Sequence, residues 1–189
     1  MVNPTSRSRR TGFCRFGFRA VMLLATSSCV GLPALQEGIP LYNFHVLDPG
    51  RAYRSSQPDA ETLRIAITRL GLKTVINLRG PNEGKAWYDA EHAVCVEMGV
   101  TLLDFPMSAK RLPSAEMLAD ILAALQGAQY PILIKCDGGS DRTGAVAALY
   151  RIVVLGQSKA QALQELTPAT LHFRFYAPCM DTLVELFEP

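Results

Sequence analysis

Acidic residues are absent from the first 36 positions, histidine occurs only three times in 189 residues, and no hydrophobic run is long enough to span a bilayer. Each shortage excludes something. His45, His92 and His172 share no ligand spacing, and no Cys/His cluster accompanies them, so no metal site is expected. Basic residues are scarce outside the opening segment. Removing its five arginines from the 19 basic residues leaves 14 against 17 acidic ones. That mildly acidic remainder excludes a nucleic-acid-binding surface, which needs clustered positive charge. Cysteine is too sparse for a disulfide framework. With Cys14 and Cys29 near the start, Cys95, Cys136 and Cys179 remain, an odd number that points to a free, reactive thiol.

The opening segment has its own character. Arg7, Arg9, Arg10, Arg15 and Arg19 precede the apolar run Ala20 to Ala25, and Thr26-Ser27-Ser28-Cys29 follows. This is the layout of a secretory signal, and Cys29 after small residues is similar to a bacterial lipoprotein site. Residues 1–36 are therefore read as a targeting or anchoring segment, and residues 37–189 as the folded domain. The expected location is exported or membrane-tethered (periplasm or lipoprotein). A retained cytoplasmic tail and a mitochondrial presequence are the alternatives.

From about Ile39 short apolar strands alternate with amphipathic helices. Tyr42 to Leu47 and Ala52 to Ser55 read as a strand pair around Pro49-Gly50. Asp59 caps a helix that Gly71 stops, and Thr74 to Leu78 is a buried strand. A helix over Trp87 to Met98, a strand over Val100 to Phe105, a helix capped by Ser114 and a strand over Pro131 to Lys135 follow. A helix then runs from Arg142 to Leu155, and Ser158 with Gln161 forms a capping box for one more. This alternation predicts an α/β domain with a mostly parallel central sheet flanked by helices. In such sheets ligands bind beyond the carboxyl ends of the strands.

The segment after Lys135 carries the chemistry: Cys136-Asp137-Gly138-Gly139-Ser140-Asp141-Arg142-Thr143-Gly144. A loop entering a helix N-terminus directs several backbone N–H groups into one concavity, which attracts an anion. Arg142 offers a planar fork that can bind two phosphate oxygens. Dipoles and guanidinium together favour the thiolate of Cys136, a nucleophile. Thr143 is placed to offer its hydroxyl to that sulfur. The Lys-Ser/Thr ending of a nucleotide P-loop is missing.

Cys, five residues, Arg, then Thr-Gly resembles the signature loop of the protein tyrosine and dual-specificity phosphatases. Tyr53 to Pro58, Asn77-Leu78-Arg79-Gly80 and Phe105-Pro106-Met107 are similar to bacterial dual-specificity-like members, so the resemblance covers roughly residues 40–175. It implies the cysteine-phosphatase fold and a phosphomonoester hydrolase without cofactor or metal. Cys136 is then the nucleophile of a phosphocysteine intermediate, and Arg142 binds phosphate and stabilises the transition state. Thr143 stabilises the thiolate, and Asp137, Gly138, Gly139 and Ser140 bind substrate. The implied partner is a phosphorylated substrate: a phosphoprotein, a small phosphomonoester or a lipid.

Two positions depart from the family. Lys135 stands where a histidine usually precedes the cysteine, and Ala109 where relatives tend to place an acidic residue after Phe-Pro. The general acid is therefore assigned to Asp141, which some relatives place immediately before the loop arginine, with Asp104 as the alternative. If the departures spoil the chemistry, the chain is instead a catalytically impaired pseudophosphatase that binds phosphorylated ligands. The loop holds Asp137 and Asp141 and no lysine, which disfavours a multiply charged inositol headgroup. Arg54 and Arg79 are read as structural ion-pair partners, with lining of the phosphate pocket as the alternative.

Overall fold

The computed structural model describes residues 38–189, so the opening segment lies outside the described residues. The strands are β1 (His45–Asp48), β2 (Ala52–Ser55), β3 (Thr74–Asn77), β4 (Thr101–Asp104) and β5 (Ile132–Lys135). They form one sheet in the order β1-β2-β5-β3-β4, antiparallel between β1 and β2 and parallel elsewhere. The helices are α1 (Ala60–Leu70), α2 (Ala86–Met98), α3 (Ala115–Gly127), α4 (Asp141–Val153), the short α5 (Lys159–Ala162) and α6 (Pro178–Leu186). Among the described residues no helix is long and apolar enough to cross a membrane.

The helix ends follow local chemistry. Asp59 accepts from the Thr62 N–H, Ser114 accepts from the Met117 N–H, and Ser158 with Gln161 makes the reciprocal capping box. The last helix, α6, begins with Pro178 at a position where a missing N–H costs nothing.

Successive strand residues face opposite sides of the sheet, and this sorts the core into two layers. Ile76, Ile132 and Ile134 pack with Ile121, Leu125, Leu149 and Val184 from α3, α4 and α6. Tyr53, Val75 and Leu133 pack with Leu63, Ile67 and Val94 from α1 and α2. The same parity governs the strand ends. Cys136 continues the face of Ile132 and Ile134, whereas Lys135 continues the face of Leu133. The cysteine and the residue before it therefore belong to different layers.

Candidate active site

Cys136 sits where β5, the central strand, meets the N-terminus of α4, and its side chain is buried. The conformation of the loop is set from outside by donors that take its carbonyls. The Gln57 N–H donates to the Asp137 carbonyl at 2.9 Å, and the Asn43 amide donates to Gly138 at 3.1 Å. Arg54 donates to the carbonyls of Gly139 at 2.6 Å and Ser140 at 3.3 Å. With four successive carbonyls engaged on the outer side, the N–H groups are left to the inner side. Those of Gly138, Gly139, Ser140 and Asp141 meet no protein acceptor among the described residues. A concavity of unpartnered donors at a helix N-terminus is an anion site.

Arg54 is fully buried, and Glu165 balances its charge at 2.6 Å while also bonding Arg151 at 2.5 Å. It thus acts from behind the loop, as a structural ion-pair partner. Arg142 reaches across the site, donating to the carbonyl oxygens of Leu78 at 3.2 Å and Met107 at 3.3 Å. Those acceptors follow β3 and β4, so two strand ends aim one guanidinium. The Thr143 hydroxyl is buried without a hydrogen-bond partner. It makes no hydrogen bond to Cys136 Sγ here, and as a buried orphan in the first turn of α4 it is a candidate donor to that sulfur.

Lys135 points away from Cys136, as strand parity requires. Its ammonium donates to Glu91 at 2.6 Å and to Gln57 and Asn77 at 2.8 Å each. Burial lowers its pKa to about 8, against the pull of Glu91, and burial raises that of Glu91. Lys135, Asn77 and Asp104 are register neighbours across β5, β3 and β4 and form a polar row. Asp104 lies at its end, accepting from Asn77 at 2.6 Å through Oδ1 and from Tyr88 at 2.6 Å through Oδ2. Both of its oxygens are engaged.

The loop carboxylates are differently placed. Asp137 is exposed and pairs with Arg79 at 3.2 Å; that arginine also stacks on Trp87 at 3.5 Å. Asp141 accepts through Oδ1 from His172 Nδ1 at 2.7 Å, and His172 Nε2 bonds Asp181 at 2.9 Å. Oδ2 of Asp141 has no protein partner, and the side chain keeps 16% of its surface open. Burial works to lower the His172 pKa, but its hydrogen bonds to the two carboxylates outweigh this and raise it above the ordinary value. Nothing in the local sequence marks His172 or Asp181, which come from the C-terminal segment and meet Asp141 only through the packing of α6 on α4.

Lys110 turns aside, donating to the Tyr176 carbonyl and lying over its ring at 3.5 Å. A cleft of about 530 Å³ opens elsewhere, along the outer edge of β4 against α3, lined by Leu103, Phe105 and Ala124. Its lining is mainly apolar and includes no residue of the Cys136–Arg142 loop. Among the described residues no group of His, Cys, Asp and Glu could hold a metal ion.

A mostly parallel sheet with a Cys-x5-Arg loop between its central strand and a helix defines the cysteine phosphatases of the dual-specificity class. The chain belongs to that class: it matches the family described as DSP-PTPase phosphatase fused to NAD+ kinase over residues 46–175. It is 34% identical over 145 residues to the dual specificity protein phosphatase TpbA of Pseudomonas aeruginosa, covering 75% of this chain and 62% of that one. It is 33% identical over 123 residues to the inositol diphosphatase SIW14 of Saccharomyces cerevisiae, covering 61% and 41%. The chain thus spans less than two thirds of the length of these relatives. The crystal structure of TpbA superposes with a TM-score of 0.60 at 27% identity, covering 78% of this chain and 86% of that one. The catalytic core of SIW14 gives 0.61 at 27% identity, covering 79% and 87%.

Proposed function

We propose that the chain hydrolyses phosphomonoesters through a phosphocysteine intermediate. The observation that carries this reading is the loop whose four carbonyls are held outward while its N–H groups stay unpartnered above Cys136. Cys136 Sγ attacks phosphorus and the bond to the leaving oxygen breaks. The loop N–H groups and the Arg142 guanidinium stabilise the charge on the equatorial oxygens. The Thr143 hydroxyl donates to sulfur when it departs. Water then attacks the phosphocysteine, releasing phosphate.

Asp141 is the proposed acid for the leaving oxygen, because its Oδ2 is free while both oxygens of Asp104 are taken. A singly phosphorylated substrate suits a loop without lysine; TpbA has been crystallised with phosphotyrosine. The arginine-rich opening supports export or tethering of the domain at a membrane.

The test is turnover by the purified chain on phosphotyrosine, phenyl phosphate, a singly phosphorylated lipid and an inositol pyrophosphate. Phosphotyrosine and phenyl phosphate should be cleaved, and Cys136→Ser should abolish cleavage while keeping oxyanion binding. The pseudophosphatase reading would stand if the native chain bound these compounds and cleaved none.

A further inference from the structure

The anion site of the proposed reaction contains two carboxylates of its own, which would repel a phosphate dianion if left unbalanced. Asp137 has Arg79 beside it at 3.2 Å. Asp141 is adjacent in sequence to Arg142 and opens the helix whose N-terminus faces the anion, so its charge matters more. Among the described residues the only cation that bonds it is His172, 2.7 Å away and almost fully buried.

We propose that His172 is a positioning residue of the anion site, holding Asp141 by one oxygen and neutralising it, so that proton loss from the pair weakens oxyanion binding. The inference rests on reading the loop as a phosphate site. Both ring nitrogens face carboxylates, and the ring can donate to both only when doubly protonated. The charged groups acting on it are Asp141 from α4 and Asp181 from α6. Asp181 serves as the anchor, fixing the ring from the side away from the loop. With its shared proton the Asp141–His172 pair is neutral, whichever atom carries it. Without that proton the pair is negative and stands next to the bound dianion. Because the two carboxylates hold the His172 pKa above its ordinary value, the neutral pair persists past the pH at which a free histidine discharges.

Sulfate is the probe, because its charge is constant over the range, and the full-length Cys136→Ser protein lacks the nucleophilic thiol. Sulfate affinity should fall roughly tenfold more between pH ~6 and ~9 than in the Asp141→Asn protein, the loss of charge from Lys135, whose pKa is about 8, being common to all the proteins compared. His172→Gln in that background should bind weakly at every pH, and adding Asp141→Asn should restore strong binding. Asp141→Asn alone should bind strongly and keep only the part of the pH dependence that belongs to Lys135, which keeps the test valid should His172→Gln fail to fold. Unaltered pH-dependent binding by His172→Gln, or failure of Asp141→Asn to rescue it, overturns the proposal. Absence of sulfate binding in the Cys136→Ser protein itself would overturn the anion site and the proposal together. Failure to cleave any ester while binding sulfate with the expected pH dependence would remove only the hydrolytic reading.

Discussion

Replacing Gly139 by alanine tests whether the loop is held as tightly as its hydrogen bonds imply. Gly139 has a φ of +69°, in the left-handed region, where a Cβ is strained. An ideal Cβ there would lie 2.5 Å from the Ser55 carbonyl carbon and the Ser56 nitrogen, and 2.6 Å from the Ser55 oxygen. Ordinary contact begins near 3.4 Å, so backbone must retreat by about 1 Å. Ser55 ends β2 and is the register partner of Lys135, so it cannot move without disturbing the strand that delivers Cys136. Left-handed strain costs about 1–2 kcal/mol and overpacking about 1–3. Their sum, about 2–5 kcal/mol, is a large share of a typical domain stability.

Gly139→Ala should therefore lower Tm by roughly 5–15 °C. Whatever native protein remains should lose sulfate binding, because any relief of the clash displaces the N–H groups. Gly138→Ala is the stability comparison. Its Cβ meets only the Ser140 Oγ, at 3.5 Å, and its φ is not left-handed, so Tm should be nearly unchanged. Differential scanning fluorimetry of both proteins, with and without sulfate, gives the result. Equal melting temperatures for the two variants would refute the reasoning.

Two other perturbations probe the surroundings. Glu91→Gln leaves the Lys135 ammonium buried without its carboxylate and should cost about 3 kcal/mol or more in urea unfolding; Glu91→Leu with Lys135→Met should recover much of this. Asp141→Asn should slow phenyl phosphate cleavage more than nitrophenyl phosphate cleavage, by roughly tenfold, whereas Asp104→Asn should affect both equally. The reverse pattern would pass the acid to Asp104.

The fold was legible because all five strands and most of the helices signal themselves locally. Asp59, Ser114 and Ser158 cap where expected, and Gly71 and Gly99 end their helices with left-handed φ. The helix after the loop begins at Asp141, one residue earlier than its pattern suggested, and the final helix Pro178–Leu186 was not anticipated. The loop itself was legible as a Cys-to-Arg spacing. Of its supports, Arg54 and Gln57 lie in a segment the sequence marks, but Asn43, Glu165 and His172 with Asp181 are single residues far away in sequence and were not legible. Each is an ordinary polar residue in its own segment. Their role arises only where the ends of β2 and β5 meet the C-terminal turns.

Lys135 shows why a departure from a family pattern cannot be weighed in sequence alone. A lysine directly before the nucleophile suggests a cation placed to act on its sulfur. Strand alternation forbids that, since adjacent residues of β5 face opposite layers. The lysine instead enters a row shared with Asn77 and Asp104, where Glu91 balances it and Gln57 accepts from it. Gln57 also donates its backbone N–H to the Asp137 carbonyl, so the row touches the loop through its outer, structural side. The substitution therefore bears on how firmly the loop is held, while the electrostatics at Cys136 are left to the loop N–H groups, Arg142, Thr143 and the buried Arg54, whose charge interacts with the cysteine. By the same logic, carboxylates in the loop matter according to their partners. Asp137 answers to an arginine at the surface, and Asp141 to a buried histidine whose proton the two carboxylates hold more firmly than an ordinary histidine's.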